Sequence, residues 1–175
     1  MLKTIALLAA IALLGLLAFA ASRPDVFHVQ RSIRIHAGTD KIQPLIQNLH
    51  RFNTWNPFNK KDPNLEGHYQ GPDSGPGASF SFKGNKDVGS GSLTVTQVAP
   101  DRVGMRLDML APFEAHNEVE FVLRPDGDST EVSWAMQCPS PFIAKLMGLF
   151  FDMDKMIGQD FENGLQGLKT LAEQA

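Results

Sequence analysis

Between residues 65 and 137 the chain offers six segments of alternating apolar and polar residues, separated only by turn-formers. They are Leu65–Gln70, Ala78–Lys83, Ser90–Val98, Arg102–Met109, Ala115–Arg124 and Thr130–Gln137. Alternation with period two is the mark of a strand with one buried face. Strands that follow one another through short turns must pair antiparallel, so the stretch predicts a meander. Parity names its inner face: Ala78, Phe80 and Phe82, then Val103, Met105, Leu107 and Met109, then Val119, Phe121 and Leu123, then Val132, Trp134 and Met136. Asp126-Gly127-Asp128 reads as a hairpin turn. A further strand, Val26–Ile35, precedes the meander, with Val29, Arg31, Ile33 and Ile35 on one parity.

A sheet with one apolar face needs a cover. After strand 26–35, Ala37-Gly38-Thr39-Asp40 supplies a turn and a cap for a short helix with Ile42, Leu45, Ile46 and Leu49 on one side. RFNTWNPFNKKDPN then breaks this helix, as a second short helix or an ordered loop. The long helix that begins after Pro139-Ser140-Pro141 is the better cover. Ile157, Phe161, Leu165, Leu168 and Ala172 recur every three or four residues along it. Gly158, Gly164 and Gly167 interrupt it, although each interior glycine costs a helix about 0.5–1 kcal/mol relative to alanine. Residues 142–153, FIAKLMGLFFDM, are apolar almost all round, as a doubly buried segment, a lid or a membrane-facing patch would be.

The first 22 residues differ from the rest. Ile5–Ala21 is a run of 17 uncharged apolar residues preceded by Lys3. At 1.5 Å per residue it reaches about 26 Å, near the thickness of a hydrocarbon core of about 30 Å. It reads as a single membrane anchor at 1–22, ahead of one domain at 23–175. The alternative is a signal segment with Ala18-Phe19-Ala20 as its cleavage site, which would export the domain. Basic residues on both sides leave the orientation open. A net charge of −3 gives no electrostatic ground for nucleic acid. The single cysteine, Cys138, excludes an internal disulfide and any multi-cysteine metal site.

Catalytic signatures are missing from the sequence. His28, His36, His50, His68 and His116 have no zinc spacing, and no G-x-S-x-G occurs. The glycine clusters GPDSGPG and GSGS lack phosphate-loop spacing and read as turns. Asp152, Asp154, Asp160 and Glu162 lie mostly off the apolar seam of the last helix, on a solvated face. Neither a metal nor a cofactor is expected, and no catalytic residue is assigned.

Taken in order, RSIRIHAGTDKIQPLIQNL, FNTWNPF, YQGPDSGPGASFSFKGN, GSGSLTVTQVAPDRVGMRLDM, STEVSWAM and IGQDFENGLQGLKTLAE resemble the START-like helix-grip superfamily (SRPBCC), in particular its polyketide cyclase/dehydrase-like group. The resemblance covers about residues 26–173. It implies an α+β helix-grip fold: a curved antiparallel sheet of about seven strands wrapped round the long C-terminal helix, here preceded by an N-terminal apolar helix. It also implies a hydrophobic cavity between sheet and helix, and it accounts for helix glycines through close approach of the gripping elements.

Within that fold, the large adaptable side chains expected to line the cavity are Trp55, Phe58, Phe80, Phe82, Met105, Met109, Phe121, Trp134, Met136, Phe150, Met153 and Ile157. The implied role is binding or carrying a small hydrophobic, lipid-like molecule at a membrane. A cyclase-type enzyme is the alternative, with Asn56, His68, Tyr69 and Asn117 as its polar candidates. A regulatory or assembly module with a cavity filled by its own side chains is the third reading.

Overall fold

The structure is a computed structural model and describes residues 2–174. Helix α1 (Leu2–Ala21) leads into β1 (Val26–Ile35), α2 (Thr39–Gln47), α3 (Leu49–Trp55) and a 3₁₀ turn (Pro57–Lys61). Strands β2 (Glu66–Gln70), β3 (Ser79–Lys83), β4 (Ser90–Ala99), β5 (Arg102–Ala111), β6 (Ala115–Asp126) and β7 (Ser129–Pro139) follow. Helices α4 (Phe142–Met147) and α5 (Met153–Gln174) end the chain.

The seven strands form one antiparallel sheet in the order β1-β7-β6-β5-β4-β3-β2. The meander is therefore as the alternation predicts, and β1 closes its β7 side. Register breaks in the β4–β5 ladder, at Ser90/Gly91 and Val95/Gln97, are the kind of irregularity that bends a sheet. The curved sheet grips α5, which packs along β1 and also meets β7, α2, α3 and the 3₁₀ turn. This is the helix-grip fold.

Two helix boundaries differ from the sequence reading. The first helix ends at Gln47, because Asn48 leaves the helical conformation and its side chain accepts a hydrogen bond from the Arg51 N–H, capping α3. The last helical region is split in two. Gly148 ends α4, its N–H bonding back to the Ala144 carbonyl, and Asp152 restarts the helix by accepting from the Lys155 N–H at 3.0 Å.

The interior of the grip is filled with aromatic rings. Trp134 stacks on Phe161 with centroids 4.1 Å apart, Phe121 tilts against Trp134 at 5.0 Å, and Trp55 meets Trp134 edge-on at 5.7 Å. The Trp55 indole N–H donates to the Leu45 carbonyl at 2.9 Å, so this buried ring keeps its polar edge satisfied.

The glycines of α5 sit where this packing is tightest. A Cβ at position 164 would stand 2.6 Å from the Trp134 ring and 2.9 Å from Pro57, and one at 167 would stand 3.3 Å from Trp55. A Cβ at 158 would collide with the Arg31 guanidinium. That guanidinium reaches from β1 across α5 to Asp154 at 2.8 Å and Glu162 at 2.9 Å. All three glycines thus make room for a neighbour, and at 158 the neighbour is an ion pair instead of an apolar side chain.

Helix α1 stands apart from the grip. From Lys3 to Leu16 its side chains are exposed, whereas Ala20 in its last turn is buried and the helix touches α4. Lys3–Ala21 is long and apolar enough to cross a membrane.

Candidate functional site

Strand parity carries the inner face beyond the filled interior toward the end of the sheet nearest α1. Phe27 on β1 pairs with Cys138 on β7, and Asn117 on β6 pairs with Leu107 on β5. Asn117 follows on from the Glu118–Gln137 pair and so stands in line with Cys138. Here α5 is in its first turns and α4 has folded back toward α1. The elements diverge and leave a mostly apolar cleft of about 1010 Å³. Its walls are the α1–β1 junction, the β5–β6 turn at Pro112 and Phe113, the end of β7 at Cys138, and the α4–α5 segment with Phe150, Phe151 and Ile157.

Two ion pairs brace this cleft. The Lys145 ammonium on α4 holds the Asp25 carboxylate at 2.6 Å, tying α4 to the start of β1. Arg31 and Asp154 tie β1 to the first turn of α5. Hydrogen bonding from Arg31 keeps the Asp154 carboxyl below its ordinary range, and Lys145 does the same for Asp25. A carboxyl depressed in the fold adds stability above its ordinary range, near pH 4, and loses it as pH falls through the folded value. Stability is therefore expected to be level from neutral pH to about pH 5 and to fall below about pH 4. Arg31→Met should flatten part of that fall, which thermal melts across the pH series would reveal.

Burial pushes the Cys138 thiol up to about 11, so at neutral pH it is a neutral, weakly polar wall atom. The Asn117 side chain is buried, and its Oδ1 has no hydrogen-bond partner. The other polar candidates lie elsewhere. Asn56 caps the 3₁₀ turn by accepting from the Phe58 N–H. His68 is exposed on β2. The Tyr69 ring stacks on His50 at 3.7 Å, beside a second, small pocket of about 120 Å³, and its hydroxyl accepts from Asn53 at 2.8 Å. His116 lies on the outer face of the sheet, 2.7 Å from Asp108, whose carboxyl it holds low. Among the described residues no cluster of His, Cys, Asp or Glu could hold a metal ion.

The twelve side chains expected to line a cavity fall into three groups. Trp55, Phe80, Met105, Phe121, Trp134 and Met136 are buried in the filled interior. Phe58, Phe82, Met109 and Ile157 are half-buried, and Phe150 and Met153 are exposed. Of the twelve, Phe150, Met153 and Ile157 border the large cleft. Phe27, Phe113 and Cys138 border it too and went unnamed as lining residues in the sequence. Phe27 shares the parity of Val29, so the alternation of β1 already places it on the inner face, whereas Phe113 lies in a turn, where alternation carries no information. For Phe113 the available sign was a large aromatic beside Pro112 between two strands.

Residues 26–173 match the model of a family described as polyketide cyclase / dehydrase and lipid transport. No curated protein matches the chain significantly. Similar solved structures include a protein of Mesorhizobium loti at 13% identity, with a TM-score of 0.61 over 85% of this chain and 98% of that one. A protein of Chromobacterium violaceum is similar at 12% identity, with a TM-score of 0.58 over 86% and 99% of the two chains. Ara h 8.0201 is similar at 10% identity, with a TM-score of 0.52 over 85% and 96%. At such identities the likeness is one of fold.

Proposed function

The chain belongs to the polyketide cyclase / dehydrase and lipid transport family, and from that membership we propose that it binds a lipid-like small molecule at a membrane. In this reading residues 1–22 are the anchor and residues 23–175 the binding domain. The observation that carries it is the apolar cleft beside the end of α1, about 1010 Å³ in volume. That is the size and character of a small-molecule site. Phe150, Met153 and Ile157 would contact the bound molecule there, while the buried rings of the interior support the walls from behind. The unpartnered Asn117 Oδ1, a buried acceptor that costs about 1–3 kcal/mol while unsatisfied, is a natural partner for a hydroxyl or amide of a ligand reaching past Cys138.

The test is extraction and native mass spectrometry of the full chain purified in mild detergent, followed by uptake of a fluorescent fatty-acid analogue. A bound hydrophobic molecule, with uptake sharply reduced in Phe150→Glu, an exposed residue of the cleft wall, at an unchanged urea midpoint, is the expected result. A chain that yields no bound molecule and takes up no analogue would sink the reading. That outcome would instead favour the interaction module, which draws support from the ring-filled interior of the grip.

A further inference from the structure

We infer that the end of the domain surrounding the cleft sits within the interfacial layer of the bilayer crossed by α1, so that the cleft opens onto lipid. The inference rests on the anchor reading of α1. It starts from where the apolar side chains stand. Among the described residues outside α1, every exposed large hydrophobic side chain except Tyr69 either borders the cleft or lies within two residues of one that does. Leu110 comes from the end of β5 and Phe113 from the turn that follows it, and Phe142, Ile143, Phe150 and Phe151 come from α4 and the link to α5. These two segments are distant in sequence, yet both end at one cleft. Phe113 is 66% exposed and Phe150 69%. Isolated exposed apolar residues are ordinary, but a contiguous group at one end marks a surface that something covers.

The occupant follows from continuity. The cleft wall includes Arg23 and Pro24, the residues that directly follow α1. Ala20 is buried and α1 touches α4, so the helix that would span the bilayer leaves it beside α4, whose Phe142 and Ile143 are exposed. Arg23 lies over the Phe19 ring at 5.2 Å, an aromatic-and-cation arrangement suited to the headgroup level. A helix that holds this end against the membrane leaves the bilayer as the nearest apolar phase for the patch. The consequence is lateral exchange, in which a lipid-like molecule passes between cleft and bilayer without crossing water.

The experiment uses the full chain carrying Cys138→Ser, with one new cysteine labelled with the environment-sensitive dye NBD. Phe113→Cys and Phe150→Cys probe the patch, and Asp73→Cys probes the turn between β2 and β3. All three positions are exposed, so none disturbs the interior. The chains are reconstituted in phosphatidylcholine vesicles, with and without a nitroxide-bearing phosphatidylcholine. The expected result is blue-shifted emission at 113 and 150 that the nitroxide lipid extinguishes, against water-like, unquenched emission at 73. Water-like emission at 113 and 150 overturns the inference. A blue shift without lipid quenching also overturns it, because a protein surface would then cover the patch. A chain that fails to float with the vesicles overturns both anchor and immersion, while ligand extraction still reports separately on the cleft.

Discussion

Phe121→Ala is expected to lower the stability of the fold by on the order of 3–5 kcal/mol. Phe121 is fully buried and lies 5.0 Å from Trp134, 6.0 Å from Trp55 and 6.1 Å from Phe52. Removing it deletes the centre of the aromatic cluster, and the two tryptophan rings cannot both move in to fill the space. Total stabilities run to about 5–15 kcal/mol, so the loss is a large fraction of the whole. Urea unfolding of the full chain in mild detergent, followed by near-ultraviolet circular dichroism, gives the midpoint. A loss below about 1 kcal/mol would mean that the cluster is not close-packed. If the loss were small and retention of a bound molecule fell instead, Phe121 would be a contact of the ligand and the binding reading would move inward.

Gly164→Leu is the second large effect, at about 1–3 kcal/mol of destabilisation. Leucine is the better helix former by up to about 1 kcal/mol, so local propensity alone gives the opposite sign. Space decides the matter. The first side-chain carbon would already stand 2.6 Å from Trp134 and 2.9 Å from Pro57. Neither neighbour can yield, since Trp134 is stacked between Phe161 and Phe121 and the proline ring has no rotamer to swing away. Gly158→Ala makes the contrast. The obstacle there is the far end of the flexible Arg31 side chain, which can move aside by giving up its pair with Asp154. An unchanged urea midpoint for Gly164→Leu would falsify the close-approach account of that glycine.

The inner face of the sheet was legible because it depends on nothing but local parity. Val103, Met105, Val119, Phe121, Leu123, Val132, Trp134 and Met136 alternate in sequence and are all buried. The seam of α5 was legible for the same reason at helical spacing. The reason for Gly158 was not, because its neighbour Arg31 lies more than a hundred residues away in sequence, and no local pattern pairs them. The cleft was illegible for a related cause. Its walls are ends and turns, such as Pro112 and Phe113, whose side-chain directions are set by how elements terminate. Only the apolar run at 142–153 announced it, and that run is equally compatible with burial, a lid or a membrane face.

The junction of α1 and β1 limits what the domain can do. Only residues 22–25 separate the two elements. The last of them is clipped to the body twice, through the Asp25 carbonyl to the Ser140 N–H at 2.7 Å and through its carboxylate to Lys145. Fully extended, four residues span roughly 14 Å, far less than the gap between two membranes. With α1 in a bilayer, the domain cannot act as a ferry. It would work as a fixed station whose traffic runs in two dimensions, receiving and releasing cargo among neighbours in its own membrane plane and leaving any journey across the aqueous space to a soluble partner.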